Sequence, residues 1–144
     1  MELITMGKVI VEAKIENLND LYRANRGELP DDQIRCIEVS DALVDTGATM
    51  LAMPTRLIEK LGLNRYKTKR AKTPAGIFEF GIYEAVRLTI GGRDCVVEVT
   101  EVYDQCAVLV GQIPLEALDY IVDPVGQKLI GNPDHNGEHM FDLY

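Results

Sequence analysis

The sequence predicts a mostly β fold, a small closed or nearly closed barrel that carries two short helices. Many short segments alternate apolar and polar residues as strands do, and turn-forming residues recur about every ten positions. The two helical patterns do not alternate with the strands, which argues against a parallel sheet wound with helices. With 144 residues, 47% of them apolar, the chain is expected to form one domain over 1–144.

The first third of the chain predicts three strands and one long loop. Alternation predicts a strand over 9–15, and strand-like runs follow over 34–39 and 42–44. Residues 17–33 are polar and contain Gly and Pro, so this segment is predicted to be a long surface loop or the end of a hairpin.

Two segments predict helices. PTRLIEKLG, residues 54–62, has a proline at its start, apolar residues on one side and a glycine at its end. The second predicted helix is IPLEALDYI, residues 113–121. Both segments are too short for more than two or three turns.

The rest of the chain predicts strands joined by tight turns. KTPAGIFEF, residues 72–80, has Pro and Gly between two β-like arms and predicts a hairpin. Residues 85–102 predict a strand, a turn at Gly91-Gly92 and a second strand. CAVLVG, residues 106–111, predicts a short buried strand, and residues 121–131 predict a last hairpin.

The charge balance argues against nucleic acid as a main partner, because the net charge is −8 and phosphate binding needs an excess of Lys and Arg. The one basic segment, 65–72, is expected to be a solvated strand face rather than an anion site. Residues 1–16 have no basic leader, and no apolar run approaches the roughly 20 residues that span a bilayer. We therefore expect a soluble, cytoplasmic protein without a membrane partner.

The cysteines and histidines predict neither disulfides nor a metal site. Cys36, Cys95 and Cys106 are widely spaced in apolar surroundings and are expected to be buried thiols. His135 and His139 lie four apart, but the Pro, Asn and Gly around them favour a solvated tail over a metal-binding helix. Several acidic residues are expected at turns or on the surface: Asp41, Asp104, Asp119 and Asp123.

The segment ALVDTGAT, residues 42–49, places one aspartate directly after an apolar strand. Asp45 could simply cap its own backbone in an Asx-turn. A phosphotransferase loop would need a second acid two residues later, where this chain has Gly47. The third possibility is one half of an aspartate pair that shares a proton and activates a water molecule. Such chemistry needs neither a metal nor a cofactor.

ALVDTGAT resembles the catalytic loop of the retropepsin-like aspartic proteases. VLVGQIPLEAL, residues 108–118, is similar to the second signature of that family, two apolar residues and a glycine before a short helix. The predicted hairpin over 71–80 falls where the family places its flap, which closes over substrate. The resemblance covers residues 34–131, leaving 132–144 as a C-terminal tail, and the long C-terminal part looks closest to bacterial and archaeal single-domain members.

The resemblance implies an acid-protease barrel that is active as a homodimer, because this chain has one Asp-Thr-Gly loop and the chemistry needs two carboxylates. It assigns roles to nine residues: catalysis to Asp45, support of the catalytic loop to Thr46, Gly47 and Gly111, and substrate binding to Ala48, Thr49, Pro74, Ala75 and Gly76. Gln112 and Thr49 differ from the residues usual at these positions in viral members, so the dimer geometry and the substrate preference of the viral members are not expected to transfer to this chain.

Three functional hypotheses follow. The first is a homodimeric aspartic endopeptidase that acts on extended protein substrates. The second is a dimerisation or peptide-binding module that keeps the fold without cleaving. The third is a protease that processes only itself, within the polar segment 18–33 or the tail.

Overall fold

A computed structural model describes residues 9–123 and 125–140. Nine strands are present in this part of the chain: β1 (Val9–Asn17), β2 (Cys36–Val44), β3 (Leu51–Pro54), β4 (Arg65–Thr73), β5 (Gly76–Ile90), β6 (Arg93–Val102), β7 (Leu109–Val110), β8 (Tyr120–Asp123) and β9 (Lys128–Gly131). The same part contains three α-helices: α1 (Leu18–Asn25), α2 (Thr55–Leu61) and α3 (Gln112–Ala117). Two 3-10 turns complete it: Asp31–Gln33 and Pro133–His135. The predicted mostly β class is confirmed.

Seven strands pair in the order β1-β2-β7-β3-β6-β5-β4, and β1 also pairs with β5. Six of them therefore form a ring of hydrogen-bonded neighbours, while β4 extends from β5 alone. Within the ring, β7 lies parallel to β2 and antiparallel to β3. Strands β8 and β9 form a separate antiparallel hairpin, as residues 121–131 predict.

The core lies inside this ring, because alternate side chains of each strand point inward. On β5, Val86 and Leu88 are fully buried, and on β6 Val99 is as well. Leu51 and Met53 of β3 are also fully buried. Each such aliphatic side chain contributes about 1.5–3 kcal/mol through burial, so these strands are held in place by the packing of the core.

Helix α2 confirms the helix predicted at 54–62. Pro54 has extended backbone angles and precedes the first turn, and Gly62 ends the helix at φ 67° with its N–H donating to Glu59 O. Ile58 and Leu61 face the core. The loop that precedes β7 supports the start of this helix, since Asp104 Oδ1 accepts a hydrogen bond from Arg56 N at 2.8 Å.

The loop predicted over 17–33 is wrong in its first half, where α1 forms. Asn17 caps the helix by accepting from Asp20 N at 3.0 Å and also donates to Leu61 O at 2.7 Å. The buried Asp20 carboxylate accepts from the Arg35 guanidinium at 2.8 and 2.9 Å and from Arg35 N at 3.0 Å. These contacts with distant residues hold a segment whose local sequence favours a loop.

Three smaller predictions need correction. The described residues contain three α-helices rather than two. The predicted runs 34–39 and 42–44 are one continuous strand, β2. The second predicted helix, 113–121, ends at Ala117, because residues from Tyr120 onward pair with β9.

The expectation of buried thiols is wrong for Cys36, which is exposed. Cys36 stands at the start of β2, where the alternation of the strand directs it outward while Ile37 is buried. Cys95 and Cys106 are half-buried, and all three thiols are free. Burial raises the pKa of the Cys95 thiol to about 11, because the thiolate would lose solvation.

Asp119 lies in a turn, as one of the two predicted settings, but it is buried, with only 6% of the residue exposed. Its carboxylate contacts a ring nitrogen of His135 at 2.6 Å and accepts from Asn132 Nδ2 at 3.2 Å and Met140 N at 3.1 Å. The hydrogen bond from His135 lowers the pKa of Asp119 below its usual value. His135 thus packs against the fold instead of lying in a solvated tail, and residues 132–140 dock beside α3.

Candidate active site

The loop that begins at Asp45 connects β2 to β3 and lies beside β7. Leu43 and Val44 of β2 pair with Leu109 and Val110 of β7. The ladder continues into the loop, since Asp45 N–H donates to Val110 O at 2.9 Å. The aspartate is therefore fixed at the end of two buried strands that run in the same direction.

The loop turns tightly around its own aspartate. Gly47 N–H donates to Asp45 Oδ1 at 2.9 Å, and Ala48 N–H donates to Asp45 O at 3.0 Å. A Cβ on residue 47 would lie 3.2 Å from Asp45 Oδ1, so glycine allows this close approach. The Asp45 side chain is half-buried and Thr46 is exposed. The first contact has the form of an Asx-turn, which therefore coexists with a carboxylate open to solvent.

Gly111 lies directly against the back of the loop. Its N–H donates to Met50 O at 3.0 Å. A Cβ there would lie 2.5 Å from Met50 O and 2.7 Å from Ala48 O, distances that real Cβ atoms do not reach. The two backbones can pass this closely only because residue 111 has no side chain.

The start of α3 adds two contacts that the sequence analysis does not predict. Gln112 N–H donates to Ala48 O at 2.9 Å, and Ile113 N–H donates to Thr49 O at 2.9 Å. The first amides of a helix have no partner within it, so these two bind the loop carbonyls instead. The residue types of Gln112 and Ile113 do not signal these contacts, which arise because α3 begins directly after Gly111.

The predicted flap is a hairpin of β4 and β5. Thr73 pairs with Gly76, and the turn is Pro74 and Ala75. Gly76 has φ 129°, a backbone conformation that L side chains rarely adopt. Thr73 orders the turn, since its Oγ1 donates to Gly76 O at 3.0 Å and accepts from Ala75 N at 3.2 Å. The sequence analysis does not single out Thr73.

The flap turn offers few free donors. Pro74 has no amide hydrogen, and the amide of Ala75 already binds Thr73. All three residues of the predicted flap tip are exposed. Across the described ranges, no hydrogen bond joins this turn to the Asp45 loop, so the structure brings Gly111 to the loop but leaves the flap tip apart from it.

A groove of about 600 Å³ lies between the β5 arm of the flap and the end of β6. Phe78 and Phe80 line one side, and Val102, Tyr103 and Cys106 line the other. Glu79 and Glu101 also line it, and Glu101 accepts hydrogen bonds from Thr55 Oγ1 at 2.7 Å and Arg65 at 3.2 Å. The groove is mostly apolar and can take a large apolar side chain.

The described residues hold no cluster of three or more His, Cys, Asp or Glu side chains that could bind a metal. Asp45 is the sole carboxylate of its loop, residues 45–50. Within residues 9–123 and 125–140, no helix is long and apolar enough to cross a membrane.

The strand that threads beside an Asp-Thr-Gly loop, with a glycine at the crossing, defines a domain of the acid-protease type. Residues 38–122, more than half of the chain, match the family described as "gag-polyprotein putative aspartyl protease". The chain belongs to this family of retropepsin-like aspartyl protease domains, which confirms the resemblance at the level of the family. A comparison with curated proteins finds no match.

Proposed function

We propose that the protein is a homodimeric aspartic endopeptidase whose water is activated by one Asp45 from each subunit. The observation that carries this proposal is the Asp45 loop, which β7 and α3 hold rigidly from behind while its carboxylate stays accessible. Membership of the aspartyl protease family supports the same reaction.

A second copy supplies the missing carboxylate. Two carboxylates about 3 Å apart cannot both ionise, so they share one proton. The ionised Asp45 then takes a proton from water as the water oxygen attacks the carbonyl carbon, and the protonated Asp45 donates its proton to the carbonyl oxygen of the scissile peptide bond. In the resulting gem-diol the newly protonated Asp45 gives its proton to the amide nitrogen, the C–N bond breaks, and one hydroxyl proton returns to the other carboxylate, which leaves the amine, the acid and the original dyad.

The loop geometry favours pairing about a two-fold axis. Thr46 is exposed beside Asp45, where its hydroxyl can bind the loop of the partner subunit. Gly47, Ala48 and Gly111 keep the backbone close and fixed, so two loops can meet without rearrangement. The ring of strand pairings supports a closed acid-protease barrel as the frame of each subunit.

The substrate is an extended peptide that lies between the loop and the flap. Ala48 and Thr49 follow the catalytic residue and contact its main chain. Pro74, Ala75 and Gly76 close over it as the tip of the flap.

Substitution of the catalytic aspartate tests the activity. Asp45→Asn removes the shared proton and should abolish cleavage of casein or a fluorogenic peptide library at pH 4–7, measured as initial rate. Asp41→Asn is the matched control, because it makes the same change at an exposed carboxylate of β2, four residues earlier. Retention of cleavage in Asp45→Asn, or equal loss in both variants, would contradict the assignment.

A silent peptide-binding module is the second candidate, and the flap turn favours it. Because Pro74 has no amide hydrogen and the Ala75 amide binds Thr73, the flap tip has fewer backbone N–H donors for a transition state than a glycine-rich flap would have. A wild-type protein that binds extended peptides tightly and never cleaves them, across pH 4–7, would support this candidate over the protease.

A further inference from the structure

We propose that the flap hairpin selects acidic substrates, through a cationic edge formed by β4. This inference rests on the proposed function, since it names the substrate class of the proposed protease and a contact for that substrate along the outer edge of β4. The cationic edge is defined as five residues of that strand: Arg65, Lys67, Lys69, Arg70 and Lys72.

Positive charge is concentrated on this one strand. The chain has 15 Lys and Arg residues against 23 Asp and Glu, and five of the 15 fall within eight positions that contain no acid. Every one of the five is exposed. An acidic protein thus carries one electropositive arm, and that arm is half of the flap.

Most of this charge is not neutralised within the chain. Arg65 binds Glu101 at 3.2 Å, and Lys67 lies 5.1 Å from the centre of the Tyr66 ring. Lys69, Arg70 and Lys72 form no ion pair with any residue in the described part of the chain. Lys69 and Lys72 therefore remain available to a ligand, and Arg70 faces Glu79 of β5 without forming an ion pair with it.

The strand is also the open edge of the sheet. It pairs with β5 and with no other described strand, so its outward N–H and C=O groups can bind an added strand. Cationic side chains on an edge discourage pairing with another copy of the same edge. The same charge favours a strand of opposite sign, because opposite charges on neighbouring strands attract and like charges repel.

The register places cations on both faces of the hairpin. Lys69 lies opposite Phe80 on one face, and Arg70 lies opposite Glu79 on the other. Alternate side chains of an added strand reach opposite faces. An acidic peptide would meet a cation on either face.

Between the residues of the cationic edge, Ala71 leaves room for an apolar side chain of the added strand. Ala71 is small and lies opposite Phe78, which is 46% exposed and lines the groove. A large side chain on the added strand can reach over Ala71 to Phe78. Lys69 is two residues away on the same face, so the preferred segment has an acidic residue two positions from a large apolar one.

Nucleic acid would also be attracted by five cations, but two observations favour a peptide. The rest of the chain is strongly acidic and repels a long polyanion. The open edge offers backbone donors and acceptors at the spacing of a β-strand, which a peptide matches and a sugar-phosphate chain does not.

Binding to the inactive Asp45→Asn protein separates substrate selection from cleavage. The probes are three fluorescein-labelled 12-residue peptides with the same Leu and Phe residues, carrying Glu, Gln or Lys at alternate positions, and a 12-nucleotide oligothymidine. Fluorescence anisotropy at low and high salt gives the affinities. The Glu peptide should bind about tenfold more tightly than the Gln peptide, and the difference should shrink at high salt.

Charge removal at the edge should erase this preference. Lys69→Gln, Arg70→Gln and Lys72→Gln together should make the Glu and Gln peptides bind equally. The matched control removes three exposed cations elsewhere, Arg23→Gln, Lys60→Gln and Lys128→Gln, and should keep the preference. Charge reversal by Lys69→Glu and Lys72→Glu should transfer it to the Lys peptide.

Equal binding of the Glu and Gln peptides to the Asp45→Asn protein would overturn the proposal. The proposal would also be overturned if the control substitutions removed the preference for the Glu peptide as fully as the substitutions on β4 do. Tighter binding of oligothymidine than of the Glu peptide would assign the edge to nucleic acid instead. If the wild type cleaves no peptide while its Asp45→Asn form prefers the Glu peptide, the protease assignment fails and the acidic selection stands.

Discussion

Gly111 carries much of the geometry of the candidate site, because its missing side chain lets β7 and α3 approach the Asp45 loop. The Asp45 loop receives hydrogen bonds from the backbone amides of Gly111, Gln112 and Ile113. A single methyl group at residue 111 would collide with two carbonyl oxygens of the loop. At the scale of residues, loop position depends on backbone contact more than on side chains.

Gly111→Ala should therefore impair both stability and activity. The added Cβ forces the loop away from β7, at an expected cost of about 1–3 kcal/mol in the free energy of unfolding. Urea denaturation and kcat measure the two effects. Gly126→Ala is the control, because the nearest atoms around its added Cβ belong to the side chains of Asp123 and Lys128, which can move. Unchanged kcat in Gly111→Ala would show that the close approach does not matter.

The elements of the fold were predictable where the signal is local. Pro54 and Gly62 mark the two ends of α2 as expected, and Gly91-Gly92 separates β5 from β6. Helix α1 was missed because its support comes from residues distant in sequence, Leu61 and Arg35. The burial of Asp119 was missed for the same reason.

The same logic applies to the candidate site. The Asp45 loop, Gly111 and the hairpin of β4 and β5 were predictable from motif and order; Gly111 lies against the loop, whereas in the described residues the turn of the hairpin makes no hydrogen bond with it. The helix amides of Gln112 and Ile113 and the hydroxyl of Thr73 were not predictable, since nothing in their residue type marks them. Backbone contacts leave no compositional signal.

The pair of Asp20 in helix α1 and Arg35 should stabilise the fold at neutral pH and lose this effect in acid. The hydrogen bond from Arg35 lowers the pKa of Asp20 in the folded state. A carboxyl group with a lowered folded-state pKa contributes stability above its unfolded pKa of about 4, and this contribution is lost as pH falls below that value. Asp20→Asn should lower the melting temperature at pH 7, and its deficit relative to the wild type should shrink below about pH 4.

Thermal melts from pH 2.5 to 7 test this, with Asp31→Asn as the control at an exposed acid of the following turn. A deficit in Asp20→Asn that stays constant with pH would contradict the assigned role of the Asp20–Arg35 pair.

The flap hairpin should depend on Thr73, whose hydroxyl makes both side-chain hydrogen bonds of the turn. Thr73→Val keeps the shape of the side chain and removes these bonds, so the turn should close less precisely over substrate. We expect KM to rise about threefold to tenfold with little change in melting temperature, measured by peptide cleavage and thermal melts. Thr68→Val on the same strand is the control, and an equal rise in KM there would contradict the role of Thr73.

At the scale of the whole molecule, the chain has one Asp-Thr-Gly loop, whereas the proposed chemistry needs two catalytic carboxylates. The family match over 38–122 covers the loop, the flap and β7 together. The described contacts that fix Asp45 lie within one chain, while in the proposed dimer the second acid comes from a symmetric partner. Activity should therefore depend on protein concentration below the dimer dissociation constant.

Proton sharing also fixes the shape of the pH dependence. In the proposed dyad, cleavage needs one protonated and one ionised carboxylate, so kcat/KM should fall at both ends of an acid-leaning, bell-shaped profile. Initial rates from pH 3 to 8 measure it. A single sigmoidal rise toward alkaline pH would argue for a lone general base instead.

Subunit mixing tests the shared site most directly. Wild-type protein is mixed with an equal amount of Asp45→Asn protein, the subunits are allowed to exchange, and the cleavage rate is compared with that of the wild type at the same total concentration. If both copies of Asp45 are required, random pairing leaves about a quarter of the activity, because a quarter of the dimers are wild type in both subunits. A residual activity of about one half, as expected when each chain acts alone, would contradict the account.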